Sequence, residues 1–207
     1  MLDLRNNGGG SLQEAIELTG LFIEKGPVVQ VRDTRNQVEV HRDEDSNVSW
    51  TGPFGVIINR YSASASEIFA GAIQDYGRGI ILGSSSYGKG TVQSAVDMSR
   101  FISPTNKLRL KAAGEEKDNT TPDGAPEFGQ INVTIAKFYR INGSSTQHKG
   151  VNPDISFPTQ FSAEKYGESS EPAALPWDQI KPTNFNQIND LKAIKGNLLI
   201  MHEERMK

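Results

Sequence analysis

Cysteine is absent from the 207 residues, which removes thiol nucleophiles, disulfides and thiolate metal sites together. Histidine is scarce: His41, His148 and His202 stand far apart without metal-ligand spacing, so neither a metal centre nor a histidine base is expected. No apolar run approaches the roughly 20 residues that span a bilayer. The net charge of -3 with interspersed signs supplies no broad basic field. Nucleic acid is therefore not an expected partner, the local cluster Lys107, Arg109 and Lys111 notwithstanding. The first ten residues lack a basic stretch followed by an apolar one, so they do not read as a secretory signal. They read instead as a strand entering a glycine loop, as if the chain began inside a longer polypeptide.

What is present is a globular composition, 36% hydrophobic and 23% charged, sized for one principal core. Residues 12–24 carry Leu12, Ala15, Ile16, Thr19, Phe22 and Ile23 on one helical stripe, opened by Ser11 with Glu14 three residues on and closed by Gly26-Pro27. Short strands are expected at 28–32 and 37–41, and an exposed loop at 42–47. The run 54–59 reads as a strand buried on both faces, 65–76 as a helix, and 79–82 as a second buried strand, together a βαβ unit. Further strands are expected at 91–96 and 131–141, separated by a Gly-, Pro- and acid-rich loop at 114–129. A helix bent at Gly196 is expected over 189–204. The fold class is thus α/β, with a core over 1–159 and a linker with the start of a helical region over 160–207.

The segment Ser62-Ala63-Ser64-Ala65-Ser66-Glu67 falls where a buried strand turns into a helix. There a short side chain stands beside free backbone N–H groups, a place that favours developing negative charge. Ser64-x-x-Glu67 also fits a capping box, in which the serine does no more than satisfy the helix start. A cap does not account for Gly88-Lys89-Gly90-Thr91-Val92-Gln93, a glycine-flanked lysine that the crossover returns to the same sheet end. A serine hydroxyl needs a proton acceptor, and a lysine serves when burial keeps it neutral. Ser64 is the candidate nucleophile and Lys89 the candidate base. Gln93, four residues beyond Lys89, can orient the amine without adding charge. An acyl transfer also needs two amides aimed at the oxyanion: that of Ala65, after the nucleophile, and one from the loop Gly8-Gly9-Gly10.

Four ordered segments resemble one family. They are Leu-Asp-Leu-Arg-Asn-Asn-Gly-Gly-Gly at 2–10, Ser-Ala-Ser-Ala-Ser-Glu-Ile at 62–68, Gly-Lys-Gly-Thr-Val-Gln at 88–93, and Phe-Tyr-Arg-Ile-Asn-Gly-Ser-Ser-Thr-Gln with Gly-Val-Asn-Pro-Asp-Ile within 138–155. This set is similar to the carboxy-terminal processing, or tail-specific, peptidases. The resemblance implies a ClpP/crotonase-like core with βαβ units and a mixed sheet. It implies Ser64 as nucleophile, Lys89 as base, Gln93 as its orienting partner, and Gly10 and Ala65 as oxyanion-hole amides. It also implies protein or peptide substrates with accessible C-termini, no cofactor, and a periplasmic, cell-envelope or chloroplast-lumen setting. Two departures stand out. The PDZ domain and N-terminal region usual upstream of Leu2 are not in these residues, so weak or absent activity is expected of this segment alone. Ser84-Ser85-Ser86 replaces the usual Glu-Pro-Thr type of sequence.

Two other readings compete. Gly83-x-x-x-x-Gly88-Lys89 approaches a phosphate-binding loop, but Gly90 stands where a Ser or Thr should hold magnesium, and Thr91 onward favours a strand where that loop demands a helix. A scaffold that keeps the peptidase fold without catalysis is the second.

Overall fold

The computed structural model describes residues 1–113, 128–162 and 165–207. They form two compact units, one of residues 1–91 with 136–207 and one of residues 92–135.

The first unit is built on a parallel four-stranded sheet in the order β1 (Leu2–Asp3), β4 (Gly55–Ile58), β5 (Ile80–Gly83), β8 (Ile155–Ser156). Leu2 pairs with Val56, Val56 with Ile81, and Leu82 with Ile155. The apolar runs of β4 and β5 fit this position, since a central parallel strand is covered on both faces. Helix α2 (Ala65–Asp75) crosses from β4 to β5 and completes the expected βαβ unit. Its Phe69, Ala70 and Ile73 enter the core with Leu4, Val56, Ile58, Ile81 and Val151, all nearly inaccessible to solvent. Burying a side chain of this size stabilises by about 1.5–3 kcal/mol. Phe22 stacks on Phe54 at 4.1 Å between ring centroids, and both meet Phe69 edge-on.

Helix α1 covers Leu12–Gly20 and is shorter than the expected 12–24. The chain leaves it beside β3 (Val38–Asp43), where a side chain at Gly20 would run into the Asp43 carboxyl at 2.5 Å, and Phe22 turns out to join Phe54. The antiparallel pairings gather in a separate sheet: β2 (Gly26–Asp33) lies between β3 and the end of β7 (Gln130–Tyr139). The α/β class holds, with parallel and antiparallel ladders on two sheets rather than in one. The expected exposed loop begins two residues later than 42, because Arg42 and Asp43 pair with Pro27 and Gly26.

Residues 160–207 contribute extended segments, a 3-10 turn at Glu168–Ser170 and helix α4 (Lys192–Arg205). Helix α4 runs through Gly196, with no interruption there; a glycine weakens a helix without necessarily ending it. The second unit contains most of β6 (Thr91–Asp97), helix α3 (Pro104–Ala113) and the first part of β7. Helix α3 has no counterpart among the expected elements, because its residues lack a clean apolar stripe. The loop expected at 114–129 falls, up to residue 127, outside the described residues. Among the described residues, no helix is long and apolar enough to cross a membrane.

Candidate active site

The site starts at the C-terminal end of β4, where the parallel sheet presents its loops. After Ile58 the chain makes a tight turn held by Ser62. Its hydroxyl donates to the Leu4 carbonyl at 2.7 Å and accepts from the Asn59 N–H at 3.0 Å. This ties the β4 exit to β1 and aims the next residues at the glycine loop. Ser64 then adopts φ 56 and ψ -115, a conformation that costs a non-glycine residue of order 1–3 kcal/mol. An ordinary helix N-cap has no such strain. The neighbouring backbone maintains it: the Ala63 N–H donates to the Asn7 carbonyl at 3.0 Å, and the Ser66 hydroxyl to the same oxygen at 3.1 Å.

Glu67 closes the far side. The capping box expected from Ser64-x-x-Glu67 is formed, but the carboxylate reaches well beyond the helix start. It is fully buried and accepts four hydrogen bonds. Oε1 takes the Ser86 hydroxyl at 2.6 Å and the Gly88 N–H at 2.7 Å, while Oε2 takes the Ser64 N–H at 2.8 Å and the Lys89 N–H at 3.0 Å. One oxygen therefore holds the main chains of Ser64 and Lys89 within two hydrogen bonds of each other. Burial pushes the Glu67 carboxyl up to about 7, against the downward pull of the bonds from Ser86, Gly88, Ser64 and Lys89.

The lysine segment is framed from its other side by residues 145–150. The buried Gln147 accepts the Gly90 N–H on Oε1 at 2.8 Å, and the His148 N–H donates to the Gly88 carbonyl at 2.8 Å. Gly88 has φ +92, and an added Cβ there would meet the His148 backbone at 2.9 Å. Only glycine fits such a conformation at so close an approach. Gln147 and His148 are thus structural here. Lys89 itself is half-buried, as is Ser64. After Gly90 the chain enters β6 rather than a helix, so no helix N-terminus follows Gly88-Lys89 as a phosphate-binding loop would require. Gln93 lies on β6, exposed, within residues 92–135.

The glycine loop packs on the Ser64 turn from the β1 side. Gly9 has φ +102, and a Cβ there would lie 2.7 Å from the Ala63 carbonyl and 2.9 Å from the Ala65 nitrogen. Its N–H is engaged with Asn7 Oδ1 at 2.9 Å. Gly10 and Ala65 line one cavity of about 140 Å³ with Leu4, Leu18 and Phe69. No acceptor among the described residues takes the N–H of either. The structure therefore places Gly10 and Ala65 on one cavity, with Gly9 against Ala65, and brings the Ser64 and Lys89 main chains to Glu67.

Sequence reasoning gave Glu67 only its cap. The clue to the rest was an acid in the first turn of a helix rich in apolar and small residues, which requires paired donors if buried. It also passed over Arg140 and Asp75. The Arg140 guanidinium holds both Asp75 oxygens, at 2.6 and 3.0 Å, and Gln74 at 2.9 Å. That ion pair fixes the end of β7 to the C-terminal end of α2, so the helix carrying Ser64 is tied at both ends. Burial raises the Asp75 carboxyl, opposed chiefly by Arg140. Among the described residues no cluster of three His, Asp or Glu could hold a metal.

Residues 1–157 match peptidase family S41, and residues 161–207 match the C-terminal domain of tail specific protease. The chain is 45% identical over its whole length to the tail-specific protease of Haemophilus influenzae, of which it spans 27%. It is 37% identical over 157 residues to the carboxy-terminal-processing protease of Bartonella bacilliformis, covering 75% of the chain and 30% of that protein. Its fold superimposes on the photosystem II D1 C-terminal processing protease with a TM-score of 0.57 at 28% identity, over 75% of the chain and 33% of that structure. With matching sequence and fold, and with the serine turn and the lysine segment converging on one buried carboxylate, this chain belongs to peptidase family S41.

Proposed function

We propose that the chain is the catalytic core of a serine endopeptidase that cuts proteins near their C-termini through a Ser-Lys dyad. The observation that carries this is the strained Ser64 turn, whose amide shares one Glu67 oxygen with the amide of Lys89. In this reading the Lys89 amine takes the Ser64 proton as Oγ attacks the scissile carbonyl. The resulting ammonium then protonates the departing amine, and water repeats the sequence to release the acyl group. The amides of Gly10 and Ala65, two residues that line one cavity, are assigned to receive the oxyanion of each tetrahedral intermediate. Gln93 is assigned by its spacing and by the family resemblance to orient the Lys89 amine.

The substrate is a protein or peptide with an accessible C-terminus. An upstream PDZ domain would capture it, in the periplasm or cell envelope, so the 207 residues alone are expected to turn over weakly or not at all. Neither a metal nor an organic cofactor enters the steps. A phosphate-binding role has no support in the backbone after Lys89, which continues as β6.

The test is cleavage of a C-terminally tagged protein by the full-length polypeptide carrying this chain. Ser64→Ala and Lys89→Ala should each lower kcat by about 10,000-fold or more without unfolding the protein. Near-parental turnover in either variant rejects the dyad.

A further inference from the structure

The lysine segment has a third support that comes from the far end of the chain, within the region matching the C-terminal domain of tail specific protease. Residues 166–168 lie across Ser86 and Tyr87. The Arg60 side chain, almost wholly buried, donates from Nε to the Tyr166 carbonyl at 2.7 Å and from Nη1 to the Ser86 carbonyl at 2.5 Å. Desolvating a guanidinium in order to hold carbonyls is costly, which marks this junction as a specified one. Tyr61, Phe161 and Tyr166 add an edge-to-face trio, with centroids 5.2 to 6.3 Å apart. Gly167 has φ +113, and a Cβ there would lie 2.6 Å from Arg60 Nη2 and 2.7 Å from the Tyr87 carbonyl. The crossing therefore requires glycine at this position.

Glu168 makes the connection to Lys89. Its N–H donates to the Tyr87 carbonyl at 3.0 Å, two residues before the lysine. Its Oε1 accepts from Gln147 Nε2 at 3.0 Å, and Gln147 Oε1 in turn accepts the Gly90 N–H at 2.8 Å, one residue after the lysine. Glu168 thus brackets Lys89 on both sides, directly through its backbone and indirectly through its side chain. The Gln147 amide, inaccessible to solvent, has a fixed orientation in this chain of bonds. Its oxygen must face Gly90 and its nitrogen Glu168, so an acceptor at Glu168 decides which way it points.

We infer that Glu168 is a positioning residue for the catalytic lysine segment, acting through Gln147, and that the C-terminal segment thereby takes part in setting the geometry of the base. This rests on the assignment of Lys89 as the base. Glu168 does not touch the reacting atoms. Its effect belongs in kcat, since misplacing a base by a fraction of an ångström slows proton transfer while leaving peptide capture unchanged.

Two conservative variants of the full-length polypeptide separate length from charge. Glu168→Asp keeps the charge but withdraws the acceptor by one methylene, and should lower kcat about ten-fold with KM within about two-fold of the parent. Glu168→Gln keeps the reach and an amide oxygen but loses the charge, and should hold kcat within about two-fold, with the acid limb of its pH profile unmoved. Parental kcat in Glu168→Asp overturns the inference, provided Lys89→Ala is inactive. So does a Glu168→Gln variant as impaired as Glu168→Asp, or one whose acid limb shifts, because the role would then lie in the charge. An active Lys89→Ala variant would instead remove the assignment on which the inference rests.

Discussion

Two helices of this chain open with the same tetrapeptide pattern, Ser-x-x-Glu, and the structure uses them differently. Ser11, ahead of α1, has φ -70 and ψ 134, and its hydroxyl accepts the Glu14 N–H at 3.4 Å. Both residues are exposed, and the motif does what an isolated cap does. Ser64, ahead of α2, has φ 56 and ψ -115, and its Glu67 lies out of reach of solvent with four donors converging on it. The local code is the same in both places. The difference is that at α2 a second segment, Ser86 to Lys89, supplies three of the four donors. A cap motif becomes part of a site when a distant part of the chain folds onto its acid.

The sharpest way to separate the two motifs after removal of Ser64 itself is to alter the two acids. Glu67→Gln replaces one carboxylate oxygen with an NH2 group, which must then face two donors whichever way the amide turns. Leaving buried donors unmatched costs about 1–3 kcal/mol each, so a loss of roughly 3 kcal/mol in urea unfolding is expected. Because the Ser64 and Lys89 amides share one of these oxygens, kcat should also fall by about ten-fold or more. Glu14→Gln, on the exposed helix, should change stability by less than about 0.5 kcal/mol and leave kcat unaltered. Equal effects at the two positions would erase the distinction.

The legible and illegible parts of the sequence divide along the same line. The βαβ unit could be read because the runs at 54–59 and 79–82 are apolar throughout and the intervening helix has a clear stripe. The segments that carry the proposed serine and lysine stand out because glycines and small residues surround them in four ordered segments. Glu67 looked like a cap because its other partners, Ser86, Gly88 and Lys89, lie about twenty residues away, beyond any local pattern. Glu168 gave no signal at all: it sits in a stretch rich in Pro, Ser and Gly, and its partner Gln147 is 21 residues distant. The end of α1 was misplaced because apolar residues continue through Phe22 and Ile23. Those two side chains leave the helix to pack with Phe54 and the core, so the stripe persisted past the last helical turn. Helix α3 was missed for the opposite reason, being a helix with scarcely any stripe.

The buried acid also leaves a thermodynamic trace that an exposed cap lacks the burial to produce. Burial lifts the Glu67 carboxyl from 4.5 to about 7 in the folded chain. Below 4.5 both states hold the proton and the contribution to stability is fully present. As pH rises toward 7 the unfolded chain releases its proton first, so folding loses that contribution and unfolding becomes easier. The unfolding free energy should therefore decline between about pH 5 and pH 7.5, and more steeply in the parent than in Glu67→Gln, which has no carboxyl to titrate. Urea titrations at a series of pH values measure both slopes, and parallel slopes would mean that Glu67 does not titrate in this range.

Ser11→Ala, like Glu14→Gln, belongs at the small end of the expected effects. The cap bond it removes is long and solvent-exposed, so the cost should lie at the low end of the range for N-caps, about 0.5 kcal/mol. Ser11 nevertheless follows Gly10 directly, and Gly10 shares its cavity with Ala65. If α1 needs its cap only for its own stability, kcat in Ser11→Ala stays within about two-fold of the parent, because the Gly9 backbone is already held by Asn7 and by close contact with the Ser64 turn. A ten-fold loss of kcat with so small a loss of stability would show instead that the start of α1 aims the Gly10 amide. The two Ser-x-x-Glu motifs would then flank one oxyanion site from opposite sides.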